Sequence, residues 1–332
     1  MTVTVILCTY NRCDTLTRTL ESLAASSSPQ SFECEVLVVD NNSSDRTRQV
    51  VEGFCRRSAG NFRYIFERQQ GKSFALNAGI RAARGDVLAF LDDDVTVASD
   101  WLERLTAPLE ESREWAGTGG RIVLDGSFSA PAWLPVGSPF GALPALAALF
   151  DLGDKPQELH QAPYGTNMAF RKIMFEKYGL FRTDLGPSPN RGTPRPNEDT
   201  EFGRRLLAAG ERLHYEPSAV VYHPVPESRV RRYYLLDWWF DYGRSLIRER
   251  GKGSPIWGFP RHYFGILKMI GRVLPSYTLR WIRTVNTRER FRWKCAVWCT
   301  AGQICETFRV VSETDQMRSE YIPSLSEGRA DR

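Results

Sequence analysis

Three consecutive carboxylates, Asp92-Asp93-Asp94, follow directly on the wholly apolar run Val87–Leu91. Side chains alternate along an extended segment, so Asp92 and Asp94 are expected on one side and Asp93 on the other. A D-x-D pair of this kind offers two hard oxygen ligands to Mg2+ or Mn2+ that still carries substrate phosphate and water. A solvated acidic loop is the bland alternative, but acids at the end of a buried strand are costly without a neutralising partner. A second acidic group, Asn197-Glu198-Asp199, precedes an amphipathic stretch ending FGRRLLAAG. Acids there fit ordinary helix-start chemistry, and they also fit a carboxylate placed for general-base work. His223 closes the short run 219–222 before Pro224. An imidazole nitrogen there suits Mn2+ better than Mg2+, while a strand-end histidine packed beside Tyr222 is the competing reading.

The elements that must position these groups follow from apolar periodicity. Strands are expected over 3–8, 35–39, 62–66 and 87–91, alternating with helices over 14–24, 45–55 (Ser44 as N-cap) and 73–83. Strands and helices alternating at this length predict an α/β fold with a mostly parallel sheet covered on both faces. Ligands then bind beyond the carboxyl ends of the strands. The polar clusters fall there: Thr9-Tyr10-Asn11-Arg12 after the first strand, Asp40 with its Asn/Ser turn after the second, and the aspartate triplet after the fourth. Asp40 could accept from a nucleobase N–H or ribose hydroxyls, or merely open a turn. Lys72, just before a helix containing Asn77, makes that helix start a candidate diphosphate neighbour. Beyond a helix over 100–111 the pattern is less regular, with a strand over 164–172, a breaker-rich loop over 186–196, a helix over 197–210 and a strand over 215–223.

Composition removes several classes. Apolar residues at 42% and charged residues at 25% exclude wholesale disorder. There is no GxGxxG or GxxxxGK[ST] after the first strand, which argues against a dinucleotide oxidoreductase and a P-loop NTPase. The seven cysteines show no CxxC pair or zinc spacing and read as free thiols of a reducing compartment. No stretch is apolar for long enough to span a bilayer, and the first residues lack a signal peptide's basic start, so a cytoplasmic protein is expected.

The ordered set TYNR, VVDNNSSD, GKSFALNAG and FLDDDV resembles the nucleotide-sugar-binding half of the family 2 glycosyltransferases, which have the GT-A fold. It covers roughly residues 3–110. The resemblance implies an inverting transferase that takes a UDP- or GDP-linked sugar and uses Mn2+ or Mg2+. By that analogy Thr9, Tyr10 and Asp40 surround the nucleoside, with Asn11 and Arg12 beside them, and Asp92, Asp93 and Asp94 surround the metal and diphosphate. NEDTEFGRRLLAAG resembles the family's Glu-Asp pair before a helix. That implies Asp199 as general base, with Glu198 contacting the acceptor or orienting the loop; Asn197 stands where the family often has Gly. His223 resembles a histidine that completes the metal site in some members. Tyr164-Gly165-Thr166-Asn167 resembles the family's Gly-x-Asn segment, which implies that Gly165 and Asn167 touch donor sugar or acceptor. The acceptor expected is a carbohydrate or a lipid-linked glycan. A sugar nucleotidyltransferase is the alternative enzyme, though it should open with a Gly-rich basic loop, which TYNR is not. A catalytically silent carbohydrate- or membrane-binding module is the alternative outside catalysis.

The catalytic domain is expected over 1–226, as a donor half (1–110) and an acceptor half (111–226), followed by a helical extension over 227–332. The net charge of +5 divides into −4 for the first 226 residues and +9 for the rest, which also holds six of the nine tryptophans. Basic residues interleaved with Trp and Tyr suit an anionic membrane surface, which would put the protein on the inner face of the membrane as a peripheral enzyme. Simple packing on the catalytic domain and homodimerisation are the competing roles. No nucleic-acid-reading motif accompanies the charge, so nucleic acid is not an expected partner.

Overall fold

Alternating side chains explain why the first strand sits between two helical layers. Val3, Val5 and Leu7 point to one face and Ile6 to the other, and all four are buried. A computed structural model describes residues 1–26, 33–57, 61–126, 128–135, 137, 139–188, 196–250 and 261–312, without the side chains of 144, 261–264 and 310–312.

The first part of the chain runs β1 (Thr2–Thr9), α1 (Cys13–Ala25), β2 (Glu33–Asp40), α2 (Thr47–Arg57), β3 (Phe62–Phe66), α3 (Lys72–Ala82) and β4 (Val87–Leu91). The strands β3-β2-β1-β4 pair in parallel, and the order reverses at β1, where β2 lies on one side and β4 on the other. That reversal opens the crevice in which an α/β sheet binds its ligand. The chain continues through β5 (Thr96–Val97), α4 (Trp101–Glu111), β6 (Trp115–Leu124), α5 (Leu143–Ala147), β7 (Gln157–Leu159), β8 (Asn167–Arg171), α6 (Lys172–Tyr178), α7 (Glu198–Ala208) and β9 (Arg212–His223). β8 lies antiparallel between β4 and β6, and β6 then pairs in parallel with β9 over its whole length. The result is one mixed sheet whose longest ladders are parallel.

One face of the sheet packs on Leu16 and Leu20 of α1 and on Trp101 and Leu105 of α4. The other packs on Leu76 and Ile80 of α3 and on the rings of Phe90, Phe170, Phe175, Phe181 and Phe202. Each fully buried side chain of this size stabilises the fold by about 1.5–3 kcal/mol. Phe175 and Phe202 stack with ring centroids 4.4 Å apart, joining α6 to α7.

Helices α8 (Arg232–Arg250), α9 (Arg261–Lys268), α10 (Leu274–Arg283) and α11 (Thr287–Ser312) follow. A third core of Leu134, Leu146, Leu235, Trp239, Phe291 and Cys295 seals α8 and α11 against the 128–149 segment. Trp133 belongs to this packing, edge-on to Phe291 at 5.3 Å. Among the described residues no helix is long and apolar enough to cross a membrane.

Local expectations needed correction in three places. β6, one of the longest strands of the sheet, falls where the sequence read as irregular. α2 starts at Thr47, not behind Ser44: Asp45 accepts from the Thr47 N–H at 2.9 Å, while the Ser44 N–H is taken by Asn11 Oδ1 at 2.7 Å. The expected strand over 164–172 begins only at Asn167, because the Asn167 N–H closes a turn onto the Tyr164 carbonyl at 3.0 Å. The breaker-rich loop over 186–196 lies largely outside the described residues, as do 251–260 and 313–332 of the extension.

Candidate active site

The chain leaves β4 by turning rather than staying extended, and the turn decides where the three aspartates go. Asp92 receives Lys72 Nζ at 2.7 Å and the Thr166 hydroxyl at 2.6 Å. Asp93 and Asp94 share one guanidinium nitrogen of Arg12, at 2.9 and 3.2 Å. Asp94 also accepts from Arg229 at 2.9 Å. The backbone is no longer extended at the triplet, so strand alternation does not set the arrangement of the three carboxylates: Asp92 is held by Lys72 and Thr166, and Asp93 and Asp94 by Arg12.

Burial and partners shape the charges. Burial works against an ionised Asp92, yet Lys72 and the Thr166 hydroxyl hold its carboxyl below the usual range. Asp93 is pushed up to about 6 by burial, which outweighs Arg12, with the Asp94 charge adding to the rise. Lys72 is partly buried and bridges to Glu198 Oε1 at 3.3 Å, so it ties the aspartate turn to the start of α7. Glu198 is pushed up to about 7 by burial. Lys72 opposes that rise and the Asp199 charge adds to it, with burial the largest influence.

His223, at the end of β9, is buried with its Nδ1 2.7 Å from the Pro224 carbonyl oxygen. A carbonyl can only accept, so Nδ1 carries a proton, and in the neutral ring Nε2 offers a bare lone pair. That nitrogen faces Asp94 Oδ1 at 3.7 Å. Among the described residues no three His, Cys, Asp or Glu side chains converge as a closed metal cage. Asp94 and His223 nevertheless present one hard oxygen and one imidazole nitrogen together, a donor set that suits a divalent ion completed by substrate phosphate and water. Asp92, held by Lys72 and Thr166, is not part of that pair.

Asp199 stands at the start of α7. Its Oδ2 accepts from the Gly165 N–H at 2.5 Å, and a Cβ on Gly165 would lie 3.0 Å from that oxygen, so glycine permits the approach. Asn197 adopts a left-handed φ of 82°, which asparagine tolerates better than other non-glycine residues. That is the physical reason it can replace Gly before the Glu-Asp pair. Beside Asp199 opens a cleft of about 330 Å³ lined by Tyr164, Thr200, Arg204 and His160, among others.

The remaining candidates divide. Tyr10 is exposed at the end of β1, and Asn11, at a left-handed φ of 52°, clasps Ser43 and Ser44 of the neighbouring loop. Thr9 and Asp40 are buried; Asp40 accepts from the Ser43 N–H at 2.9 Å and from the Tyr64 hydroxyl at 2.8 Å. Asn77 and Asn167 are corrections. Asn77 exchanges two hydrogen bonds with the Phe181 backbone, at 2.9 and 3.0 Å. Asn167 donates to the Arg121 and Ala219 carbonyls and accepts from the Trp101 indole at 2.8 Å. Both are buried, with their amides taken up in joining elements, so neither reaches the crevice. The helix start at Lys72 is likewise closed, its N–H held by the Pro187 carbonyl at 2.8 Å.

Sequence reasoning missed Arg229, Thr166, Tyr64 and Asn41. Asn41 accepts from the Gly71 N–H and donates to the Glu67 and Gln69 carbonyls, fixing the loop that carries Lys72. It also missed how the extension holds the site. Ser245 of α8 donates to the Pro196 carbonyl at 3.0 Å, and Glu249 pairs with Arg204 of α7 at 2.5 Å.

Comparisons with known proteins bear on the family and the fold. The profile of Glycosyl transferase family 2 matches residues 4–179. The succinoglycan biosynthesis protein ExoM of Rhizobium meliloti is 32% identical over 74% of this chain and 75% of its own. The glucosyl-dolichyl phosphate glucuronosyltransferase of Haloferax volcanii is 27% identical over 74% of this chain and 77% of its own. The mannosyltransferase PcManGT of Pyrobaculum calidifontis, solved with GDP-Man and Mn2+, superimposes with a TM-score of 0.58 at 17% identity, over 91% of this chain and 86% of that one. GalNAc-T7, solved with UDP, GalNAc and Mn2+, gives 0.52 at 19% identity, over 74% and 50%. The fold is thus the GT-A arrangement, an α/β sheet with a helical C-terminal region. With more than half its length matched by the profile and three quarters aligned to ExoM, the chain belongs to glycosyl transferase family 2.

Proposed function

We propose that this glycosyltransferase inverts: it moves a sugar from a UDP- or GDP-linked donor to an acceptor hydroxyl during assembly of a polysaccharide, glycolipid or lipid-linked glycan. The observation that carries the reading is the division of labour across Lys72. On one side lie Asp94 and His223 with the arginines Arg12 and Arg229, and on the other Glu198 and Asp199 open α7, whose next residue, Thr200, lines a cleft. The names of the similar proteins, one acting in succinoglycan synthesis and one on a dolichyl-phosphate-linked sugar, support the acceptor class.

In this mechanism the acceptor oxygen attacks the anomeric carbon, the bond from that carbon to the diphosphate oxygen breaks, and the acceptor proton passes to the Asp199 carboxylate. Asp199 is the base because its Oδ2 is held by the Gly165 N–H and, among the described residues, no salt bridge neutralises it. Asp94 and His223 would hold Mn2+ or Mg2+, which as a Lewis acid offsets the charge that develops on the departing diphosphate. Arg12 and Arg229, now paired to Asp93 and Asp94, are placed to accompany that charge. Glu198, buried against Lys72, orients the start of α7.

The test is Asp199→Asn, assayed across a panel of UDP- and GDP-sugars. Donor affinity should stay within about twofold while transfer falls by about 10²-fold or more, the usual scale for a positioned general base. Turnover near wild type would remove Asp199 from that role.

A further inference from the structure

We propose that the arm formed by α9, the π-turn Met269–Val273 and α10 is a docking surface for an anionic lipid bilayer. Between Glu249 and Glu289 the chain carries eight Lys and Arg residues and no Asp or Glu. Within the arm, Leu267 is 68% exposed, Ile270 46%, Leu279 47% and Ile282 63%, and Val285 just beyond is 93% exposed. Lys268, Arg272, Arg280 and Arg283 are exposed among them.

The π-turn aligns the apolar residues. In an uninterrupted α-helix each residue advances by about 100°, so Leu279 and Ile282 would lie about a third of a turn away from the line of Leu267 and Ile270. One extra residue accommodated in a π-bulge rotates the following helix back by about that angle. All four then fall on one stripe, with the four cations along its flank. An apolar stripe edged by long basic side chains is what lies flat in a headgroup layer, chains buried and charges at the phosphates.

The charge selects the occupant. A second copy meeting this face about a two-fold axis would set its cations against their own equivalents, with no acid on the arm to neutralise them. Lipid phosphates complement it. The opposite side of the arm is tied down by its rings, Tyr277 against Trp293 at 5.7 Å and Trp281 against Trp298 at 6.4 Å, which leaves the stripe facing outward. This surface does not depend on the proposed sugar chemistry, and it places an enzyme with a lipid-linked acceptor against that acceptor's membrane.

The experiment uses the full chain, because the extension also holds Pro196 and Arg204 and its deletion would disturb the site. The protein is sedimented with phosphatidylcholine vesicles, with and without about one-third phosphatidylglycerol, at low and high salt. Wild type should pellet with the anionic vesicles only and be released by salt. Arg280→Gln with Arg283→Gln should weaken binding by about tenfold or more, since each cation near such a surface is worth roughly fivefold. Leu279→Asp with Ile282→Asp should weaken it further at unchanged melting temperature; if that pair fails to fold, the arginine pair still decides. Protein that stays in the supernatant at low salt, equal pelleting with neutral vesicles, or variants that bind like wild type would each overturn the proposal. So would light scattering in which Leu279→Asp with Ile282→Asp turns a dimer into a monomer with vesicle binding unchanged.

Discussion

Buried acids meet arginines both between α8 and α11 and at the crevice, and the two clusters are built differently. Between α8 and α11, Glu306 is fully buried and clasped by Arg244 and Arg248 from successive turns of one helix. The helices there approach so closely that a Cβ on Gly243 or Gly302 would lie 2.0 Å from a carbonyl oxygen of the facing helix. At the crevice, by contrast, three acids from one turn meet cations from three separate elements: Arg12, Lys72 and Arg229. Arg12 is nearly half exposed there, and Asp94 is shared among two arginines and His223. In the first cluster every acid and guanidinium is buried. In the second, Arg12 opens to solvent, so the diphosphate and cation of the proposed reaction would find partners there to exchange.

Three substitutions put this contrast to the test. Glu306→Ala should cost about 3–5 kcal/mol of stability, because it removes the buried acid that Arg244 and Arg248 share; urea denaturation measures it, and sugar transfer at low temperature should survive. Asp94→Asn should do the reverse. Transfer and metal-dependent donor binding should fall by about 100-fold, or about 2.7 kcal/mol, while stability falls by no more than about 1–2 kcal/mol because Arg12 keeps Asp93. Stability losses of equal size in the two variants, with transfer intact in Asp94→Asn, would erase the distinction.

The smallest effect concerns Glu198, which burial raises from 4.5 to about 7. The folded chain therefore keeps a proton that the unfolded chain has already released. The stability this contributes is complete below about pH 4.5 and is lost as pH rises through about 7. Glu198→Gln should flatten that decline, by roughly 1–3 kcal/mol between the ends of the window, read as melting temperature against pH. A wild-type protein whose stability rises across the same interval would reverse the sign and show Lys72 prevailing over burial.

The donor half was legible because its physics is local. Apolar runs of strand length ended in polar clusters, and β3 and β4 fall where the periodicity put them. β6 was hidden by its own packing requirement. Gly117, Gly119 and Gly120 make WAGTGGRIVL look like a loop, yet a Cβ at these positions would meet Phe170 at 2.2 Å, Pro163 at 2.6 Å and Asn167 at 2.3 Å. Nothing in a single sequence distinguishes glycine that bends a chain from glycine that lets another element come near. Asn77 carried a usable signal: it lies four residues after Ser73 and three before Ile80, on the buried face of α3, where an amide is more easily satisfied by backbone than by a ligand. Arg229 and Thr166 carried none, since only the folded sheet brings them to the aspartates.

The antiparallel insertion of β8 also bears on how the chain is made. Once Leu91 has left the ribosome, β1 to β4 can assemble, but β4 then presents the unpaired edge of Val-Leu-Ala-Phe-Leu until Asn167–Arg171 emerges. At about 5–20 residues per second of synthesis, that wait lasts several seconds. A bare apolar edge strand is a template for pairing with other nascent chains. Aggregation during biosynthesis, rather than loss of the finished fold, is therefore the hazard this topology carries.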